Sequence, residues 1–331
     1  MTQGAYLAKK GETVHIRCEG KSLMQVPLHN LDGIVCFGNV TCSPYLMGHC
    51  GRQGLAITFL SEHGRFQARV VGETSGNVLL RREQYRRADS PEASAEIARA
   101  ILTAKVFNSR AVLRRARTDR KIEHSSIDDA MVQLSAALRD LQRPCDLESL
   151  RGIEGSAAKY YFGAFDALIT KHKDEFFFRR RSRRPPLDTV NALLSFLYTL
   201  VTHDMRSALE AVGLDPAVGF LHRDRPGRPS LALDLTEEFR AFLADRLALS
   251  LINRGQLRDS DFDHSEGGAV LLNEGGRKLV LGMYQKRKLE EIVHPFLEEK
   301  STVGLLFQIQ ALLLARYLRG DLDGYPPFTG R

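Results

Sequence analysis

The chain has 331 residues, 43% hydrophobic and 26% charged, with no low-complexity tract; this excludes disordered and fibrous classes and allows a sizeable core in one large or two unequal domains. Forty-seven Lys and Arg against 40 Asp and Glu leave a formal charge of +7, which favours polyanionic partners such as nucleic acid. No stretch approaches the roughly 18 to 20 apolar residues of a membrane span, and the cysteines (Cys18, Cys36, Cys42, Cys50, Cys145) lack C-x-x-C spacing. The expectation is a cytoplasmic protein with no membrane partner, reduced thiols and no zinc site.

From residue 12 to residue 71 the pattern has period two, as in Val14, Ile16 and Cys18 on one face, and predicts half-buried strands over 13–18, 33–37, 55–60 and 65–71. A short helix is expected over 44–51. The Gly- and Ser-rich stretch 72–77 marks a boundary between domains at 1–75 and 76–331. Ser90, Pro91 and Glu92 form an N-cap, N1 proline and first-turn acid, opening a long helix to about residue 117. Helices follow over 126–141, 146–170, 188–212, 235–254, 275–290 and 302–318, with a loop or hairpin at 258–272. The end, Gly324-Tyr325-Pro326-Pro327-Phe328, cannot be helical and reads as a flexible or docking segment. The fold class expected is α+β: a small β-rich, sandwich-like domain, then a large all-α domain.

Basic residues cluster at 81–87, at 114–121 and most densely at Arg179, Arg180, Arg181, Arg183 and Arg184, directly after Phe176-Phe177-Phe178. Guanidinium forks bind phosphates bidentately and aromatic rings stack on splayed bases, so this run is the candidate DNA-binding segment. Glu154 stands between Gly152 and Gly155; small flanks suit either a tight helix crossing or the approach of a phosphate. His222 ends an apolar run, and Asp234 and Glu237 open the next helix on one face. An imidazole with carboxylates is a set for Mn²⁺ or Mg²⁺, while Asp-x-x-Glu at a helix start is also close to a capping box. Glu238, about 100° further round, is expected to face solvent or pair with an arginine.

In order, Arg151-Gly152-Ile153-Glu154-Gly155 with Tyr161-Phe162, Arg183-Arg184-Pro185-Pro186 with Asn191-Ala192-Leu193-Leu194-Ser195-Phe196, Gly219-Phe220-Leu221-His222 and Asp234-Leu235-Thr236-Glu237-Glu238-Phe239-Arg240 resemble the CRISPR-associated integrase family, the endonuclease subunit of the spacer-acquisition complex. The resemblance runs over nearly the whole chain. It implies a Mn²⁺ or Mg²⁺ site and catalytic centre at Glu154, His222 and Glu237, with Asp234 as a fourth ligand or a partner behind the ligands. It also implies a homodimer whose small N-terminal domain carries partner contacts. A small ferredoxin-like partner nuclease would bridge two such homodimers on double-stranded DNA. The activity implied is insertion of short foreign DNA into a CRISPR array, by attack of a DNA 3′-hydroxyl on a phosphodiester; water attacking instead gives nuclease activity. The alternatives are a catalytically silent DNA-binding scaffold and a helical regulator with a β-rich sensor; the last is weakened by the lack of a helix-turn-helix.

Overall fold

In the computed structural model, residues 3–31, 33–62, 66–70, 72 and 78–330 are described. Strands β1 (Ala5–Lys10), β2 (Thr13–Cys18) and β3 (Lys21–Pro27) form an antiparallel meander, and after β4 (Gly33–Phe37) the short β5 (Val40–Cys42) joins β1 in parallel. Helix α1 (Pro44–Arg52) is capped by Ser43 Oγ, which accepts from Leu46 N at 3.2 Å. Strand β6 (Ala56–Leu60) then pairs parallel with β4 and antiparallel with β7 (Phe66–Val70). Leu7, Val14, Cys36, Leu46, Cys50 and Ile57 bring both sheets and α1 into one core, the two-layer solution for sheets with one apolar face. Strands β1, β3 and β5 are additional to those predicted. β3 is exposed along most of its length, so its sequence carries no alternation to detect. The predicted linker 72–77, apart from Gly72, lies outside the described residues, as do the ends of the strand predicted at 65–71.

Helices α2 (Val78–Asp89), α3 (Pro91–Thr118), α4 (Ser125–Asp140), α5 (Leu147–Gly163) and α6 (Thr189–Ala211) follow. Then come α7 (Ser230–Phe239), a π-helical turn (Arg240–Asp245) and α8 (Arg246–Asn253). Of the loop or hairpin predicted at 258–272, the structure has the hairpin, of β8 (Phe262–His264) and β9 (Val270–Leu272). After α9 (Glu274–Lys288), a second hairpin of β10 (Glu291–Val293) and β11 (Lys300–Thr302) precedes α10 (Leu306–Arg319). The later part of the chain is therefore mainly helical rather than all-α. The chain divides into two compact units, residues 1–76 with 273–278, and residues 77–272 with 279–331. Among the described residues no helix is long and apolar enough to cross a membrane.

Two local departures matter for the site. Helix α7 begins at Ser230 after Pro229, five residues earlier than the sequence pattern suggests, so Asp234 lies inside the helix and is not its cap. The π turn inserts one extra residue. In an uninterrupted α-helix, Asp245 would sit about 80° round from Glu237; the extra residue brings the two onto one face, and both line one cavity.

Candidate active site

Lys105, on α3, was not singled out by sequence and stands at the centre. Its Nζ donates to Glu154 Oε1 on α5 and lies 2.8 Å from Glu237 Oε2 on α7. Glu237 is 3% exposed, and its second oxygen meets the Arg240 guanidinium at 2.8 Å. Burial pushes the Glu237 carboxyl up, but Arg240, then Lys105 and His222, outweigh it and hold the group at about 2. Arginine one turn along the helix and lysine from across the site thus keep this acid ionised in a buried position. A signal for Lys105 exists in α3: Ile101, Leu102, Ala104, Val106 and Asn108 are buried around it, and a lysine inside such a stretch needs a partner.

Gly152 and Gly155 decide between the two readings of the Glu154 segment. A Cβ built on either meets nothing within 4 Å, so α5 makes no tight crossing here. The glycines leave the helix surface beside the half-buried Glu154 open to a ligand.

His222 is held from behind. Asp234, fully buried, accepts from Phe220 N at 2.6 Å and Leu221 N at 3.0 Å on Oδ2, and from His222 N at 3.0 Å and His222 Nδ1 at 2.6 Å on Oδ1. Four donors fill the lone pairs of the carboxylate. Of its sequence readings, metal ligand, helix cap or partner behind the ligands, the geometry fits the last. A proton on Nδ1 places the free imidazole lone pair on Nε2, and among the described residues Nε2 has no hydrogen-bond partner. Gly219 makes this cradle possible: a Cβ there would fall 2.7 Å from Asp234 Oδ2 and 2.8 Å from the Ser230 carbonyl carbon. Arg151, one turn before Glu154, donates to Leu221 O at 2.9 Å and ties the His222 loop to α5.

Beside the acids, Tyr198 and Tyr161 donate to the two oxygens of buried Asp245 at 2.6 and 2.8 Å. Burial pushes the Asp245 carboxyl up to about 6 against the lowering effect of these tyrosines, Arg181 and Arg240. Arg240 and Arg181 lie over the Tyr198 ring, their Cζ atoms 4.9 and 5.2 Å from its centroid. Lys105, Glu154, Glu237, Arg240 and Asp245 share a cavity of about 40 Å³, with Arg183 at its wall.

The arginine run divides. Arg179, Arg180, Arg183 and Arg184 are exposed. Arg181 turns inward, donating to Ser182 O and Asn191 Oδ1 at 2.6 Å and to Ser195 Oγ at 3.0 Å, so its predicted role on DNA is corrected to an internal clamp. Phe176 and Phe178 are buried and only Phe177 is exposed, under Arg179. In the other clusters Arg117 pairs with Asp128 and Glu123, and Arg86 and Arg87 pair with Glu83. The expectation for Glu238 is also overturned. It is fully buried and accepts from Tyr325 OH at 2.7 Å, Phe328 N at 2.8 Å and Gln310 Nε2 at 3.0 Å.

Among the described residues no three of His, Cys, Asp and Glu converge as a ligand cluster. The donor set nevertheless fits a hard divalent cation in two respects. Glu154 and Glu237 already share a cation, the Lys105 ammonium, and Glu237 Oε2, in a buried position, has no hydrogen-bonding partner beyond that ammonium among the described residues.

Fold and site together define a mixed α+β protein whose acidic pair is carried on a mainly helical unit. Residues 1–286 match the family described as CRISPR associated protein Cas1, and the chain belongs to that family. It is 56% identical over 332 residues to a CRISPR-associated endonuclease Cas1 of Chlorobaculum tepidum, covering 100% of this chain and 97% of that protein. Its fold superposes with a TM-score of 0.82 on a casposase bound to integration product, at 23% identity over 99% of this chain and 92% of that one. The same score relates it to a chain of a Cas6-RT-Cas1–Cas2 complex, at 21% identity over 99% of this chain and 35% of that one.

Proposed function

We propose that this protein is a divalent-metal-dependent DNA endonuclease and integrase, which joins short DNA segments to a CRISPR array through 3′-hydroxyl attack on a phosphodiester. One observation carries the reading: two carboxylates from separate helices, one almost fully buried, converge on a single cation beside an open helix face. Glu154, Glu237 and His222 Nε2 would hold Mn²⁺ or Mg²⁺, with Lys105 competing for the same acids. Such an ion supplies Lewis-acid stabilisation of the charge that develops on the scissile phosphate.

The remaining tasks fall to the chain itself. Asp234 keeps the Nδ1 proton on His222, so Nε2 can accept either a cation or a proton. Arg240 keeps Glu237 ionised. Arg179, Arg180, Arg183 and Arg184 would grip the backbone of double-stranded DNA without reading bases. A homodimer with contacts made by the β-rich unit, bridged to a second by a small ferredoxin-like partner nuclease, is the assembly the family resemblance supports.

Labelled DNA incubated with Mn²⁺ or with EDTA tests the proposal. Wild-type protein should yield joined or cleaved product with Mn²⁺ only, and Glu154→Ala or His222→Ala should abolish it while retaining DNA binding. Full activity in either variant, or in EDTA, would refute it and leave the silent DNA-binding scaffold.

A further inference from the structure

The segment that follows α10 buries itself against the reverse side of the helix that carries Glu237. Phe328 is 0% exposed and Tyr325 6%. The Phe328 ring stacks on Phe239 with centroids 5.3 Å apart and 8° between planes, and meets the edge of Phe242 at 4.9 Å. Tyr325 OH and Phe328 N donate to the two oxygens of Glu238, and Gln310 Nε2 reaches both Tyr325 OH, at 2.8 Å, and Glu238. Asn108, one turn beyond Lys105 on α3, closes the arrangement. Its Nδ2 donates to Glu238 O at 2.7 Å and Phe328 O at 2.9 Å, and its Oδ1 accepts from Gly330 N at 2.8 Å. The fit is close, because a Cβ at Gly330 would fall 2.3 Å from the Phe242 ring.

These contacts concentrate where α7 gives way to the π turn. Successive helical residues lie about 100° apart, so the segment grips Glu238 and Phe239 while leaving Glu237 and Arg240 turned to Lys105 and the cavity. Through Asn108 it also fixes α3, which carries Lys105. We infer that this segment, acting through Tyr325 and Phe328, is a positioning strap that holds Glu237 and Lys105 in register with Glu154. The inference rests on the reading of Glu237 as part of the active site.

Three proteins test it: Tyr325→Phe, a chain lacking residues 324–331, and Ile127→Ala in α4, buried but outside the strap. For each, the Mn²⁺ dissociation constant is measured by water-proton relaxation, together with kcat and KM for DNA joining and the Tm. Loss of a supporting hydrogen bond behind a ligand costs on the order of 10-fold. Tyr325→Phe should weaken Mn²⁺ binding and lower kcat by about that factor, with KM for DNA within about twofold. Ile127→Ala should lower Tm and leave both intact. The synthetic peptide Gly-Tyr-Pro-Pro-Phe-Thr-Gly-Arg, added in trans, should restore both values to the shortened chain. If Tyr325→Phe retains wild-type Mn²⁺ affinity and kcat while Glu154→Ala is inactive, the strap is refuted and the active site stands. If Glu154→Ala is fully active, both fall. Should the shortened chain not fold, Tyr325→Phe against Ile127→Ala still decides.

Discussion

His222 Nδ1 and Asp234 Oδ1 are 2.6 Å apart, and the same oxygen also accepts the backbone N–H of His222. One buried carboxylate therefore sets both the ring orientation and the path of the chain that delivers the ring. Asp234→Asn would put an amide where four donors converge and weaken the demand for a proton on Nδ1. We expect a loss of about 10- to 100-fold in metal-dependent activity, and of roughly 1.5 to 3 kcal/mol for each charge-assisted bond not remade. Joining rates and urea unfolding check the two effects separately.

Lys105 is predicted to stand in for charge that a divalent cation would otherwise supply. In Lys105→Met the two acids lose the ammonium they share, while Arg240 stays paired with Glu237. The variant should melt below wild type in EDTA. Mn²⁺ should raise its Tm by more than it raises that of wild type, because ligand-linked stabilisation grows with the ratio of free ion to dissociation constant. Thermal melts with and without the ion decide it; equal shifts would exclude competition between Lys105 and metal.

Asp245 makes stability depend on pH with a definite sign. Its carboxyl, ordinarily near 3.8, is raised to about 6 in the fold, chiefly by burial. A raised acid contributes stability that is fully present below the unfolded value and is lost as pH rises through the folded one. Wild type should therefore lose stability relative to Asp245→Asn between about pH 4 and pH 6. The groups facing it, Tyr161 on α5, Tyr198 on α6, Arg181 and Arg240, do not change charge in that window. Denaturant unfolding at several pH values gives the slope, and parallel curves for the two proteins would contradict it.

The arginine run should separate into two phenotypes. Arg183→Ala and Arg184→Ala should leave Tm unchanged and each reduce the slope of log affinity for DNA against log salt by about 0.9. Arg181→Ala should lower Tm instead, since it removes the donors to Asn191 and Ser195 and the cation over Tyr198.

The sequence was legible where chemistry and periodicity coincide. Alternation marked β2, β4 and β6, and the Ser90-Pro91 start marked α3. Glu154, His222 and Glu237 stood out only through the order of their motifs. Asp234 stays open between ligand, cap and partner behind the ligands in the sequence, because the pattern starts α7 too late to put it inside the helix. Glu238 is misjudged for a different reason, since the 100° step from Glu237 turns it onto the segment after α10 and not to solvent. The packing of Phe328 on Phe239 joins residues far apart in the chain, and no hydrophobic period in the sequence marks the π turn over Arg240–Asp245. Arg181 looked like its neighbours because an inward and an outward arginine have the same composition.

The open glycines of α5 set stability and turnover against each other. Alanine at position 152 or 155 would meet no neighbouring atom and gain up to about 1 kcal/mol of helix propensity at each site. Each added methyl would also stand beside Glu154, on the surface where the proposed function brings in the substrate. A screen for heat tolerance should therefore recover these alanines readily, and a screen for joining should discard them. The unadorned surface beside the acid is a feature that selection for robustness alone would erase.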